Sequence, residues 1–169
     1  MLIRYTEGKF PIDYVPTVFD NYEAEIMCRD KPLKMSLWDT GGKEQYSRIR
    51  ALSYPKTNLF FFCFSVVNEA SFANLKTKWY PEIKHHIPTA QILIVGTKCD
   101  LRSDPNYTSQ VSFEEATNLA KEIGAVGYVE CSSLNGERVN NVFDTAISLF
   151  EPERVEEEKT KKCVLFWHK

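Results

Sequence analysis

Along the chain, the spacing of apolar positions changes character more than once. Between residues 23 and 38 the period is two: Ala24, Ile26 and Cys28 alternate with polar residues, and Leu33, Met35 and Leu37 alternate again. Arg29-Asp30-Lys31-Pro32 supplies turn chemistry between them, so the segment reads as a half-buried hairpin. Residues 59–66, 91–96 and 128–131 form short strand-like runs. The first two are apolar almost throughout, as parallel strands covered on both faces are. Helical spacing separates them. Phe72, Leu75, Trp79 and Ile83 mark a helix over 71–86, in which Pro81 must start a new helix or kink the old one. Ser112 with Glu115 is a capping box opening a helix that runs to about Ile123 and stops at Gly124. Val139, Val142, Phe143, Ala146, Ile147 and Phe150 form the apolar stripe of a last helix. Strands alternating with helices predict an α/β fold with a mixed, mostly parallel sheet and flanking helices. Ligands of such sheets bind beyond the carboxyl ends of the strands. No internal repeat is present.

Composition narrows the class. Over 169 residues, 43% are hydrophobic and 26% charged, which suits one globular domain. We divide the chain into a domain over 1–150 and a charged C-terminal tail over 151–169, expected to be solvated and mobile. Twenty-one Lys and Arg against 23 Asp and Glu leave a net charge of −2, which argues against a strongly basic nucleic-acid binder. The five cysteines at 28, 63, 99, 131 and 163 include no CxxC pair. Cys63, Cys99 and Cys131 lie in or beside apolar runs and read as core residues, which fits a reducing compartment. The first residues contain no apolar signal region, and the longest apolar run is about half a membrane span. The expected location is the cytoplasm.

Three loops that follow predicted strands carry candidate chemistry. Asp39-Thr40-Gly41-Gly42 offers a carboxylate suited to a hydrated magnesium ion, and a glycine whose N–H can approach a phosphate. Taken alone, it is as readily a simple turn. In Thr97-Lys98-Cys99-Asp100 a carboxylate can accept two parallel hydrogen bonds from the N1–H and exocyclic amine of guanine, while the Lys stem lies along the base. Ser132-Ser133-Leu134 can supply a backbone N–H to the guanine carbonyl oxygen. Each is weak singly. Their order at successive strand ends makes the set specific.

With 14–22 (Tyr-Val-Pro-Thr-Val-Phe-Asp-Asn-Tyr) before it, the set resembles the Ras superfamily of small GTPases. Trp38-Asp39-Thr40, Ser53-Tyr54-Pro55, Phe72, Lys78-Trp79-Tyr80-Pro81-Glu82, 95–102 and Glu130-Cys131-Ser132 are similar to its Rho branch, nearest to Rac. The likeness covers residues 1 to about 150. It implies a P-loop NTPase-like small GTPase fold and a guanine-nucleotide switch signalling to the actin cytoskeleton. It also implies residue roles. Thr17 ligates magnesium and senses the γ-phosphate, Tyr14 flanks the nucleotide, and Val18, Phe19, Asp20, Asn21 and Tyr22 form the effector edge. Asp39 holds magnesium through water, and Gly42 contacts the γ-phosphate. Thr97, Lys98 and Asp100 recognise guanine with Ser132 and Ser133. Implied partners are GTP and GDP with Mg2+, and exchange factors, GTPase-activating proteins, dissociation inhibitors and effectors of Rho type.

The chain departs from that family in four segments. No G-x-x-x-x-G-K-[ST] motif occurs in the 169 residues, and Met1-Leu2-Ile3-Arg4-Tyr5 resembles the end of the helix that follows it. We therefore expect an N-terminally truncated domain without the first strand and phosphate loop. In the family that strand lies mid-sheet, so its neighbours are expected to expose unpaired edges, with poor folding or weak nucleotide binding unless something else fills the gap. Lys43 stands where the family usually has a Gln that orients the attacking water. An ammonium only donates, so slow hydrolysis is expected unless Lys43 is a surface residue without a role. Gly41 replaces the usual Ala and is expected to add flexibility. Residues 102–111 are too short for the extra helix usual in the Rho branch. Cys163-Val164-Leu165-Phe166 would be a prenylation box if terminal, but Trp167-His168-Lys169 follow. Prenylation is not expected, and membrane contact is at most weak.

Other features read more simply. His85, His86 and His168 lack metal-ligand spacing and are surface or helix-end residues, Trp79 and Tyr80 are packing residues, and no nucleophilic triad stands out. Two alternatives to the switch remain at this point. One is a nucleotide-independent pseudo-GTPase that engages GTPase regulators or effectors through 18–22 and 46–52; the other is a fragment without function.

Overall fold

The computed structural model describes residues 1–13, 17–28, 31–150 and 161–166. Strands β1 (Phe19–Cys28) and β2 (Lys31–Thr40) form the predicted hairpin, antiparallel, with Cys28 opposite Lys31. The strands leave two residues between them rather than four, because Lys31 and Pro32 join β2. Strands β3 (Leu59–Ser65), β4 (Gln91–Thr97) and β5 (Gly127–Cys131) follow, each parallel to the next.

The helices are α1 (Leu2–Glu7), α2 (Ser47–Ala51), α3 (Glu69–Asn74), α4 (Tyr80–His86), α5 (Phe113–Glu122) and α6 (Val139–Ser148). Between α3 and α4, residues Leu75–Trp79 widen into a π-helical turn, and Pro81 stands in the first turn of α4. Proline lacks the N–H that would continue a regular helix, and the wider turn accommodates it. The capping box of α5 is complete. Glu115 N–H donates to the Ser112 hydroxyl at 3.1 Å, and Ser112 N–H donates to the Glu115 carboxylate at 2.8 Å.

The sheet has six strands, not five. Its order is β1-β2-β6-β3-β4-β5, and β6 is Lys161–Phe166, from the segment expected to be a solvated tail. It runs parallel to both neighbours, Lys161–Phe166 against Met35–Thr40 of β2 and Cys163–Phe166 against Leu59–Phe62 of β3. The expectation of unpaired edges therefore fails: β6, from the far end of the sequence, stands between β2 and β3 and pairs with both. The solvated reading fails for 161–166 because Cys163, Val164 and Leu165 are buried in succession, on both faces of the sheet. Val164 enters the core under α3–α5 with Phe60, Phe62, Ile92 and Trp79. Cys163 and Leu165 enter the opposite core with Phe61, Leu93, Val142 and Phe143, beneath α1 and α6. All three β6 side chains are fully buried.

Asn58 fixes where β6 begins. Its N–H donates to the Lys162 carbonyl at 2.8 Å, and its side-chain oxygen accepts from Lys162 N–H at 2.9 Å. The Lys162 ammonium then lies 4.2 Å from the centre of the Trp38 ring. Composition alone suggested solvent for Lys161 and Lys162, but both are half-buried at the rim of the sheet. Residues 151–160 and 167–169 of the expected tail lie outside the described residues.

Candidate functional site

Because β2, β6, β3, β4 and β5 are parallel, their carboxyl ends share one edge, and the three polar loops converge there. At the end of β2, Asp39 accepts a hydrogen bond on Oδ2 from the Thr17 hydroxyl at 3.2 Å. Its other oxygen, Oδ1, is shut off from solvent and finds no partner among the described residues. Burial pushes the Asp39 carboxyl up to about 6, against the pull of the Thr17 hydroxyl. A buried carboxylate oxygen without a donor is the arrangement a hard cation satisfies. Thr17 and Asp39 thus fit a magnesium site, with Oδ1 as the open ligand. Among the described residues no cluster of three or more His, Cys, Asp and Glu forms another metal site. Tyr14, expected to flank the nucleotide, lies outside the described residues.

Gly41 is a close-approach position rather than a source of flexibility. Its N–H donates to the Val18 carbonyl at 3.2 Å, and a Cβ there would stand 2.5 Å from the Thr17 carbonyl oxygen. The missing side chain lets the backbone of 17–18 pass. Beyond it, Gly42 and Lys43 begin a loop that turns into a short 3-10 segment, Glu44–Tyr46, and α2.

At the end of β4, the Thr97 hydroxyl is buried and donates to the Phe64 carbonyl at 2.8 Å, so it joins two strand ends. Lys98 follows with φ +62°, a left-handed conformation uncommon for a lysine, and leads into the turn Cys99–Ser103. Lys98 is exposed and Asp100 half-buried, so both are accessible to a ligand. Cys99, expected in the core, is half-exposed because it starts this turn instead of continuing the strand. At the end of β5, the buried Ser132 hydroxyl accepts from the N–H groups of Leu134 at 3.2 Å and Asn135 at 3.4 Å. Ser133 is half-buried.

A buried network joins the last two loops. Arg102 grips Glu130 with two donors, Nε at 2.9 Å and Nη2 at 2.5 Å, and Tyr128 donates to the same carboxylate at 2.6 Å. Burial opposes the charge on Glu130, yet these donors hold its carboxyl below the usual range. Gly96 leaves room for the network, since a Cβ there would sit 2.5 Å from the Tyr128 hydroxyl. None of this follows from motif spacing. The signal in the sequence is that Arg102 and Glu130 belong to the segments 95–102 and 130–132 that carry the Rho likeness.

The Ras family model matches residues 1–151. The chain belongs to the Ras family. Its domain is therefore a small GTPase, a guanine-nucleotide-binding switch with regulator and effector partners, and Ras-family GTPases use Mg2+ with the bound nucleotide. In this Ras-family sheet, β6 lies next to β2 and so borders the loop that carries Asp39. The segment expected to face effectors, 18–22, leads into and opens edge strand β1. Val18, Asp20 and Asn21 are exposed there, while Phe19 packs edge-on against Trp38 at 5.0 Å. Among the described residues no helix is long and apolar enough to cross a membrane.

Proposed function

We propose that this chain is a Rho/Rac-like guanine-nucleotide switch whose output is to regulators of actin. The guanine base is taken by Lys98 and Asp100 with the loop at Ser132-Ser133, and Mg2+ by Thr17 and Asp39. The observation that carries the reading is the buried, unpartnered Asp39 Oδ1 at the carboxyl end of β2, the sheet edge that also carries the other two polar loops. Mg2+, when bound, neutralises phosphate charge there, and Gly42 donates its N–H toward the terminal phosphate. The Rho/Rac assignment is supported by Ser53-Tyr54-Pro55, Lys78-Trp79-Tyr80-Pro81-Glu82 and Glu130-Cys131-Ser132.

One feature supports slow hydrolysis. Lys43 cannot accept a hydrogen bond from water. The same reading places the chain in the cytoplasm without prenylation, supported by the complete burial of Cys163 in β6. A nucleotide-independent binding module is the second reading, favoured by a sheet in which β6 fills the position between β2 and β3. Titrating a fluorescent GDP analogue with Mg2+ into the 169-residue chain, alongside a thermal melt, separates them. Saturable micromolar or tighter binding supports the switch. A cooperative melt without binding supports the module and removes the switch.

A further inference from the structure

The loop after β2 is held by its carbonyls. Arg50 Nη1 donates to the Gly41 carbonyl at 2.8 Å and to the Lys43 carbonyl at 3.3 Å, and Lys78 Nζ donates to the Gly42 carbonyl at 3.3 Å. Three consecutive carbonyls are thus each bound by a cation from outside the loop. The holders are themselves fixed. Arg50 is completely buried and forked onto Glu82, Nε to Oε1 at 2.9 Å and Nη2 to Oε2 at 3.0 Å. Both cations lie against the Trp79 ring, Arg50 at 4.9 Å and Lys78 at 4.5 Å from its centre, and Lys78 also pairs with Glu44. A buried guanidinium is expensive unless its donors are spent, and here two are spent on this loop.

The trans peptide turns this grip into a direction. In each planar peptide the C=O of one residue and the N–H of the next point opposite ways. Drawing the Gly41 carbonyl toward Arg50 turns the Gly42 N–H away from it. Drawing the Gly42 carbonyl toward Lys78 does the same for the Lys43 N–H. A cation on each carbonyl also polarises that peptide and strengthens its N–H as a donor. We propose that Arg50 and Lys78 are positioning residues which hold loop 41–43 so that the Gly42 and Lys43 N–H groups form an anion-facing pair for a terminal phosphate. Glu82 orients Arg50 in that role. The ligand identity rests on the nucleotide-binding reading above; the loop geometry does not.

The test uses the full chain and two fluorescent probes with Mg2+, a GDP analogue and a non-hydrolysable GTP analogue. Lys78 is partly exposed, so Lys78→Met keeps the contact with Trp79 and should leave the fold intact. Lys78→Met and Glu82→Gln should each weaken the triphosphate probe about fivefold to tenfold relative to the diphosphate probe. Lys78→Arg should restore the ratio. Equal losses for both probes, or none, overturn the proposal. If the wild-type chain binds neither probe, the nucleotide reading fails, and hydrogen exchange decides the loop. Both variants should then speed exchange at Tyr46 and Ser47, whose N–H groups donate to the Lys43 and Glu44 carbonyls, with no change in β4, and unchanged exchange there overturns the proposal.

Discussion

The Thr40 hydroxyl donates to the Leu165 carbonyl at 2.6 Å, a buried hydrogen bond between residues 125 positions apart. Thr40 is the last residue of β2 and follows Asp39 directly, so this bond ties the candidate metal site to the C-terminal strand. The site edge and the end of the chain form one structural unit.

Stability should therefore depend on β6. Leu165→Ala removes a fully buried side chain from the core beneath α6 and should cost about 2–5 kcal/mol. Val164→Pro removes a donor from the middle of a doubly paired strand and should abolish the cooperative melt. Urea denaturation of the two variants checks both, and a wild-type midpoint for Leu165→Ala would contradict a docked β6.

Thiol reactivity gives a second measure of the same docking. Burial pushes the Cys163 thiol up to about 12, while Cys99 is half-exposed and raised to about 11. Iodoacetamide at pH 8 should modify Cys99 before Cys63, Cys131 and Cys163, and reach Cys163 only in denaturant, as read by peptide mass spectrometry.

Asp39 makes stability depend on pH in a stated direction. In the unfolded chain it ionises near 3.8, and in the folded chain only near 6. Between those values the folded state holds the extra proton. Metal-free stability should fall as pH rises from about 4 to about 6, by roughly 3 kcal/mol once the carboxylate is charged. Mg2+ relieves that cost, so the melting shift it produces should be larger at pH 7.5 than at pH 5. Asp39→Asn should raise the metal-free melting temperature at pH 7.5 and remove the response to Mg2+.

Lys43→Gln restores a side chain that can both accept from and donate to water. Single-turnover hydrolysis of bound GTP should speed up by about tenfold or more, with little change in GDP affinity. An unchanged rate would assign Lys43 to the surface without a role.

Glu130→Gln should act on the base rather than the phosphates. It leaves Arg102 without its charged partner, in a pair whose acid is almost fully buried, and loosens the loops at 97–103 and 131–137 together. Affinity for the GDP and GTP probes should fall in parallel, at least about fivefold, with their ratio unchanged.

Local chemistry explains why much of the fold was legible. Period-two alternation at 24–37, the capping box at Ser112 and Glu115, and the apolar runs at 59–66 and 91–96 concern neighbours in sequence, whose preferences act before any tertiary contact forms. The positions of the three polar loops were legible because each stands at the end of a strand-like run. Burial of Trp79 followed from its place on an apolar stripe. Gly41 was misread as a flexible residue because the backbone that crowds it comes from Thr17 and Val18.

What the sequence by itself determined is the parallel α/β class, the three polar loops at the strand ends, and the lysine at position 43. Only the tertiary structure decided that Lys161–Phe166 is a central strand. Six residues with two lysines at the front read equally well as solvated tail, and only an open slot between β2 and β3 rewards burying Cys163, Val164 and Leu165. Every strand partner that holds them is more than 100 residues away, from Asn58 at Lys162 to Thr40 at Leu165. Pairing at that distance leaves no local pattern. The same holds for Arg50 and Glu82, whose ion pair spans 32 positions and exists only because the sheet brings α2 and α4 together.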